Sequence, residues 1–242
     1  MKKTDRNIIM ITAGGIGQRF GANTPKQYLL LNKKPVISYV IEACKKSKYS
    51  DAVLVVADPK YHEELKSTYG VEVTKSGSEL NITKRNGFDY IKKYSSCEKL
   101  VVVEAVRPTI ISEVLDRTFE LLDEYQAVAC ARPITDSLGH YGEWIVNRSD
   151  YYTLNPPEGF YFPLIDKHFD SNSSYTESIQ QLPETTKVYL NFEVPYFDKI
   201  TYPEDLIKAE AIMRWHIEDN RKRSIVSTPP DFCRTRGSAV YQ

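Results

Sequence analysis

Long apolar runs, paired cysteines and net charge are what this chain has little of. The N-terminal stretch "MKKTDRNIIMITAGG" offers two lysines but only a four-residue apolar run, too short for a secretory leader or a membrane span. The four cysteines, Cys44, Cys97, Cys130 and Cys233, stand far apart and include no C-x-x-C pair, which argues against a zinc ribbon and a disulfide framework. Reduced thiols in a cytoplasmic protein are the expectation. Lys plus Arg (32) equals Asp plus Glu (32), so the whole-molecule field gives no reason to expect a nucleic-acid or membrane partner, and an anionic ligand must be met by local cations. Internal repeats and low-complexity tracts are missing too. At 242 residues the chain is long enough to bury a core as one sizeable domain.

What is present is an alternation. Short β-branched runs at 7–12 ("NIIMIT"), 51–57 ("DAVLVVA"), 99–105 ("KLVVVEA") and 127–131 ("AVACA") are almost continuously apolar, as strands covered on both faces are. Between and after them, helical spacing runs through 35–47, 59–69, 78–94 and 111–125. That order predicts a mostly parallel sheet flanked by helices, with ligands beyond the carboxyl ends of the strands. From about 135 to 162 short aromatic and polar pieces alternate with Gly and Pro, and a protruding hairpin arm is expected. A last helix is predicted over 202–220, opening with Pro203 and two acids where the helix dipole favours them. Residues 1–220 thus read as one domain, and 221–242 as a basic, loosely ordered tail.

The chemistry concentrates in "TAGGIGQRFGANTPKQY", residues 12–28, directly after the first strand. Gly14, Gly15 and Gly17 let backbone N–H groups approach a phosphate with no Cβ in the way. A tight strand-to-helix turn would use glycines as well. The chain has no G-x-x-x-x-G-K-S/T, and no acid closes the second strand at the spacing of a dinucleotide fold. With Arg19 and Lys26 close by in sequence, triphosphate binding is the economical reading.

These residues resemble the signature of the cytidylyltransferases that activate polyol phosphates with CTP, the family of the 2-C-methylerythritol 4-phosphate and ribitol 5-phosphate enzymes. That signature is A-A/G-G-x-G-x-R followed by P-K-Q-Y/F-L. Further segments agree in order. "SGSELNITKRNGF" (76–88) is similar to G-G-x-x-R-x-x-S/T-V-x-N-G-L/I, "VVVEAVRP" (101–108) to V-x-D-A-x-R-P, and "ARPITDSL" (131–138) to V-P-x-x-D-T-I/L. "NPPEGF" (155–160) stands at T-P-Q-x-F and "DKITYPEDL" (198–206) at N-x-K-I/V-T-x-P-E-D-L. The resemblance spans about residues 7–215 and implies a Rossmann-like nucleotidyltransferase fold, CTP and a polyol phosphate as substrates, Mg²⁺, and a homodimer built through the arm.

Carried over by position, Arg19, Lys26 and Lys199 would be the catalytic cations around the α-phosphate. Ala13, Gly14, Gly15 and Gly17 would hold phosphates and ribose, while Gly77, Ser78 and Thr83 would read cytosine. Glu104, Arg107, Ser137, Arg148 and Thr176 fall at acceptor positions, Glu104 also being the candidate ligand for the metal.

The chain departs from the pattern at Glu104 (for Asp), Leu80 (for Arg), Pro156-Pro157-Glu158 (for T-P-Q) and Ser76 (for Gly). Glu for Asp moves a carboxylate by one methylene, and Leu for Arg removes a planar fork of donors. The expectation is retained CTP chemistry with a changed acceptor. Gly14 and Thr83 lean toward ribitol 5-phosphate or a similar polyol phosphate for cell-surface polymers, with 2-C-methylerythritol 4-phosphate as the alternative. A non-catalytic CTP-binding module and a sugar-1-phosphate nucleotidyltransferase are the competing classes.

Overall fold

Ile8, Ile9, Met10 and Ile11 have no exposed surface at all, although consecutive strand side chains point to opposite faces. Both faces of the strand that carries them must therefore be covered. The computed structural model, which describes residues 1–15, 24–142, 145–195, 198–223 and 240–241, shows how.

β1 (Asn7–Ala13) lies between β4 (Ala52–Ala57) and β6 (Lys99–Glu104), parallel to both, and β5 (Glu72–Lys75) continues the parallel array beyond β4. Beyond β6 come β8 (Tyr152–Tyr161), β7 (Ala127–Pro133), β9 (Val188–Asn191) and β10 (Val240–Tyr241) in that order. β8 is antiparallel to β6 and β7, while β9 runs parallel to β7. The short strands β2 (Leu30–Leu31) and β3 (Lys34–Pro35) form a separate hairpin whose two loop residues, Asn32 and Lys33, both have positive φ, as a twist-matched two-residue turn requires.

Ile9, Ile11 and Ala13 face one way, against α1 (Val36–Lys46), α2 (His62–Tyr69) and α4 (Ser112–Leu121). Ile8 and Met10 face the other, against α3 (Leu80–Tyr94) and α5 (Phe162–His168). Gly87 sets the distance on that second face. A Cβ there would come 2.2 Å from the Met10 sulfur, so a residue that costs about 1 kcal/mol in a helix interior is what lets α3 lie down on the sheet. α6 (Glu204–Arg223) packs Ala209 with Leu31, Val36, Val106 and Ile200.

The predicted strands and helices of the first half are present within a few residues of their expected bounds. The arm differs. Tyr152–Tyr161, expected to protrude, is an interior strand, and only 134–151 lies outside the sheet as the connection from β7. Prolines in a central strand lack a ladder donor, which is why the stretch reads as a loop. Here Pro156 and Pro157 sit where the β7–β8 register shifts between Ala129 and Cys130, so no regular pair needs their missing N–H. The connection exposes Tyr141 and Ile145 fully or nearly so. Of the expected tail, Arg221–Arg223 continues α6 and Val240–Tyr241 pairs with β9, while 224–239 and 242 lie outside the described residues.

Candidate active site

β1, β4 and β6 end side by side, and a cleft of about 750 Å³ opens above the ends of β1 and β6. Ala13, Gly14 and Gly15 leave β1 into its floor, with Ser78, Glu79 and Leu80 at the start of α3 on one wall. Lys26, Lys199 and Glu104 form another side, and Thr176 with Glu177 closes the rim. The N-terminus of α3 brings unpaired backbone N–H groups and the positive end of a fifteen-residue helix to the same space.

The start of the glycine loop is tied down from within the sequence signature itself. Gln27 donates through Nε2 to the carbonyls of Ala13 (2.7 Å) and Gly15 (2.9 Å), so the "PKQY" turn is tied to residues 13–15. Sequence reasoning does not single out Gln27, although it lies in the quoted motif. Lys26, on the same 3-10 turn (Lys26–Tyr28), is buried and donates to the Ile200 carbonyl at 2.7 Å. That bond joins "PKQY" to the "DKITYPEDL" segment carrying Lys199, so two distant motifs deliver their cations to one cleft.

Gly14 has a packing reason. A Cβ there would stand 2.5 Å from Cβ of Ser76 and 2.8 Å from the Thr83 hydroxyl. The general pattern allows Ala at this position and has Gly where this chain has Ser76. Gly14, one of the two residues the pattern allows, therefore fits the departure at Ser76 and has a packing reason apart from the acceptor. Thr83 is buried and its hydroxyl accepts from the Gly77 N–H at 3.0 Å. It shapes the 76–78 turn and, together with Ser78, lines the cleft.

Glu104 closes β6 opposite Thr12 and is buried. Arg107 donates Nε to its Oε2 at 2.9 Å across the tight turn after the strand, and the Lys199 ammonium donates to its Oε1. Burial alone would raise this carboxyl, but Arg107 and then Lys199 outweigh it and hold it down at about 2. With both oxygens engaged by cations, Glu104 orients Lys199 toward the cleft, and its two positive neighbours disfavour a metal cation there. No group of three or more His, Cys, Asp or Glu suited to holding a metal occurs among the described residues. The Mg²⁺ expected with CTP fits the nucleotide's own phosphate oxygens better than a protein cage.

The other expected acceptor residues divide. Thr176 lines the cleft. Ser137 and Arg148 sit exposed on the 134–151 connection, where the Arg148 guanidinium donates to the Thr135 carbonyl, and neither borders the cleft of this chain. Arg19 and Gly17 lie outside the described residues. Two groups escape the sequence reading altogether. Lys84 is buried and donates to the Thr176 carbonyl and the Ser178 hydroxyl, both at 2.8 Å, with Glu158 at 3.5 Å. Glu177 borders the cleft, and burial together with Glu158 raises its carboxyl to about 7. A charged residue on the buried face of α3 is the available signal for Lys84.

A family model described as 2-C-methyl-D-erythritol 4-phosphate cytidylyltransferase matches residues 7–215. The protein of that description from Azobacteroides pseudotrichonymphae genomovar. CFP2 is 31% identical over 223 residues, spanning 86% of this chain and 99% of its own length. The one from Lachnoclostridium phytofermentans is 29% identical over 231 residues, 86% of this chain and 96% of that protein. Among solved structures, 4-diphosphocytidyl-2C-methyl-D-erythritol synthase from Anaerococcus prevotii aligns with a TM-score of 0.73 at 19% identity over 87% of this chain and 99% of that one. The 2-C-methyl-D-erythritol 4-phosphate cytidylyltransferase from Thermus thermophilus gives 0.69 at 21% identity over 88% of this chain and 100% of that one. The structural likeness bears out the α/β nucleotidyltransferase fold. The named relatives carry the methylerythritol description, and the lean toward ribitol phosphate and cell-surface polymers gains no support from them.

Proposed function

The chain belongs to the 2-C-methyl-D-erythritol 4-phosphate cytidylyltransferase family and is a CTP-dependent cytidylyltransferase acting on a phosphorylated polyol; from that premise we propose that its acceptor is 2-C-methyl-D-erythritol 4-phosphate. The family match and the named relatives support that acceptor, and the convergence of Gly14, Gly15, Lys26 and Lys199 on one cleft above the ends of β1 and β6 supports the cytidylyl transfer.

An acceptor phosphate oxygen attacks the α-phosphorus of CTP. The new P–O bond forms as the bond from that phosphorus to the α,β-bridging oxygen breaks, and pyrophosphate leaves with the electron pair. No covalent intermediate with the protein is required, so the protein's part is alignment and charge. The backbone N–H groups of Gly14 and Gly15 cradle the phosphates, and Ala13 lets the ribose lie close. Gly77 and Ser78, on the turn that Thr83 holds, face the base. Lys26 and Lys199 lie where negative charge grows on the α-phosphate, Lys26 fixed by the Ile200 carbonyl and Lys199 by Glu104. Arg19 is assigned to the same charge cluster by its place in the motif. Mg²⁺, arriving with the nucleotide, supplies charge neutralisation between phosphates.

A second reading keeps the chemistry and changes the polyol, ribitol 5-phosphate being the first alternative. It is favoured by Leu80 and Glu104 in the cleft, both departures from the pattern. Pyrophosphate release from CTP with each acceptor separates the two. The methylerythritol substrate is expected to give the largest kcat/KM, and a larger value with ribitol 5-phosphate would replace the first reading by the second. For the assembly, we carry forward a homodimer in which the 134–151 connection brings Arg148 and Ser137 to a neighbouring copy's cleft. A single 27.8 kDa species in light scattering would remove it.

A further inference from the structure

Most of the buried polar side chains around the cleft already have partners. Thr83 is bonded to Gly77, Glu104 to Arg107 and Lys199, and Lys84 to the Thr176 carbonyl and the Ser178 hydroxyl. Glu158 accepts the N–H groups of Ser178 (3.1 Å) and Ile179 (2.9 Å). Of the two cleft carboxyls that no hydrogen bond or ion pair engages among the described residues, Glu79 is exposed, whereas Glu177 is half-buried at the rim.

The segment that carries it is held by an unusual device. Lys84 and Glu158 are both almost completely buried, and their charges lie 3.5 Å apart. Lys84 stands where the pattern quoted above has Val, and Glu158 where it has Gln. An isolated charge at either position would be costly, and the two together offset each other. Between them they grip Thr176, Ser178 and Ile179 by backbone and hydroxyl, fixing the residues on either side of Glu177. A second tie comes from Asn81, whose amide donates to the carbonyls of Ser173 and Tyr175.

We infer that Glu177 is a specificity residue for the acceptor, reading one of its hydroxyl groups, and that Lys84 and Glu158 are the positioning residues that aim it. This rests on the reading of the cleft as a polyol-phosphate cytidylyltransferase site. Glu104 and Arg107, the residues at the end of β6 assigned to the acceptor, act on this carboxyl, which puts it on the acceptor's side of the cleft, and a carboxyl suits neutral hydroxyls. The charged groups that act on it are Glu158 from β8, Lys84 from α3, and Glu104 and Arg107 from the end of β6 and its turn. They are two acids and two bases, so the surroundings neither force a strong cation partner on Glu177 nor exclude a polar one.

The test is steady-state kinetics of Glu177→Gln with CTP and the best acceptor of the wild-type enzyme. At about pH 8, where the raised Glu177 carboxyl is ionised, a hydrogen bond to it is worth enough for the acceptor KM to rise about 10-fold or more, while the KM for CTP changes less than about twofold. A deoxy acceptor lacking the hydroxyl that Glu177 reads discriminates wild type from variant. It is a poor substrate for the wild type and no worse for Glu177→Gln. Lys84→Val with Glu158→Gln, which removes both charges at once and so avoids an unpaired buried ion, is expected to fold and to show the same selective rise in acceptor KM. Unchanged acceptor KM in Glu177→Gln, with normal wild-type turnover, overturns the inference alone. Wild-type protein that neither binds nor turns over any polyol phosphate overturns the cytidylyltransferase reading and this inference with it.

Discussion

Gly14 and Ser76 share a space that admits one Cβ and not two, since a methyl on Gly14 would lie 2.5 Å from Cβ of Ser76. They sit on different motifs, sixty-two positions apart in the sequence by their numbers. Gly14→Ala is expected to displace the 76–78 turn, lowering Tm and raising the KM for CTP. Gly14→Ala with Ser76→Gly removes the closest contact and leaves the Thr83 hydroxyl at 2.8 Å, so it is expected to restore both in part. A Gly14→Ala variant with wild-type Tm and KM would show that the contact is slack.

Lys26→Ala removes a cation from the cleft and one hydrogen bond to the Ile200 carbonyl. The bond is worth about 1 kcal/mol of stability, so the variant is expected to fold. Its kcat should fall about 10²- to 10³-fold, the usual cost of losing one group that stabilises transition-state charge. Thermal unfolding and pyrophosphate release measure the two effects separately. Near-wild-type kcat would remove Lys26 from the chemistry.

Glu104 and Glu177 carry opposite pH signatures. The cations hold Glu104 at about 2, against an ordinary 4.5, so its stabilising pairing is fully present above about 4.5 and is lost as pH falls toward 2. Glu104→Gln should flatten that acid limb of a stability–pH curve. At neutral pH it should cost on the order of 3 kcal/mol, because Arg107 and Lys199 lose the charge between them.

Glu177 is raised from 4.5 to about 7 by burial and by Glu158, so the folded protein holds a proton that the unfolded chain has already lost. Stability contributed by that proton is present below about 4.5 and disappears as pH rises through 7. Glu177→Gln is therefore expected to raise Tm relative to wild type at about pH 8 and to leave it unchanged at about pH 4.5. Equal Tm differences at both pH values would mean that the carboxyl ionises normally.

The parallel half of the fold is legible because β1, β4 and β6 are buried on both faces and read as unbroken apolar runs. The cleft's cations are legible because motif spacing survives in one dimension. β8 is not, since Pro156 and Pro157 carry the letters of a loop and their tolerance depends on a register shift with β7 that only pairing reveals. Nor is the partnership of Lys84 with Glu158, seventy-four residues apart, whose charges look anomalous singly and balanced together. The packing reason for Gly14 is hidden in the same way, because its neighbour Ser76 arrives from another part of the chain.

The central claim is cytidylyl transfer from CTP, and pyrophosphate release by the purified protein with CTP, Mg²⁺ and a panel of polyol phosphates tests it most directly. The account predicts turnover with 2-C-methyl-D-erythritol 4-phosphate, dependent on Lys26. CTP-induced stabilisation with no pyrophosphate from any acceptor, the methylerythritol and ribitol phosphates included, would contradict it and leave a nucleotide-binding protein on this fold.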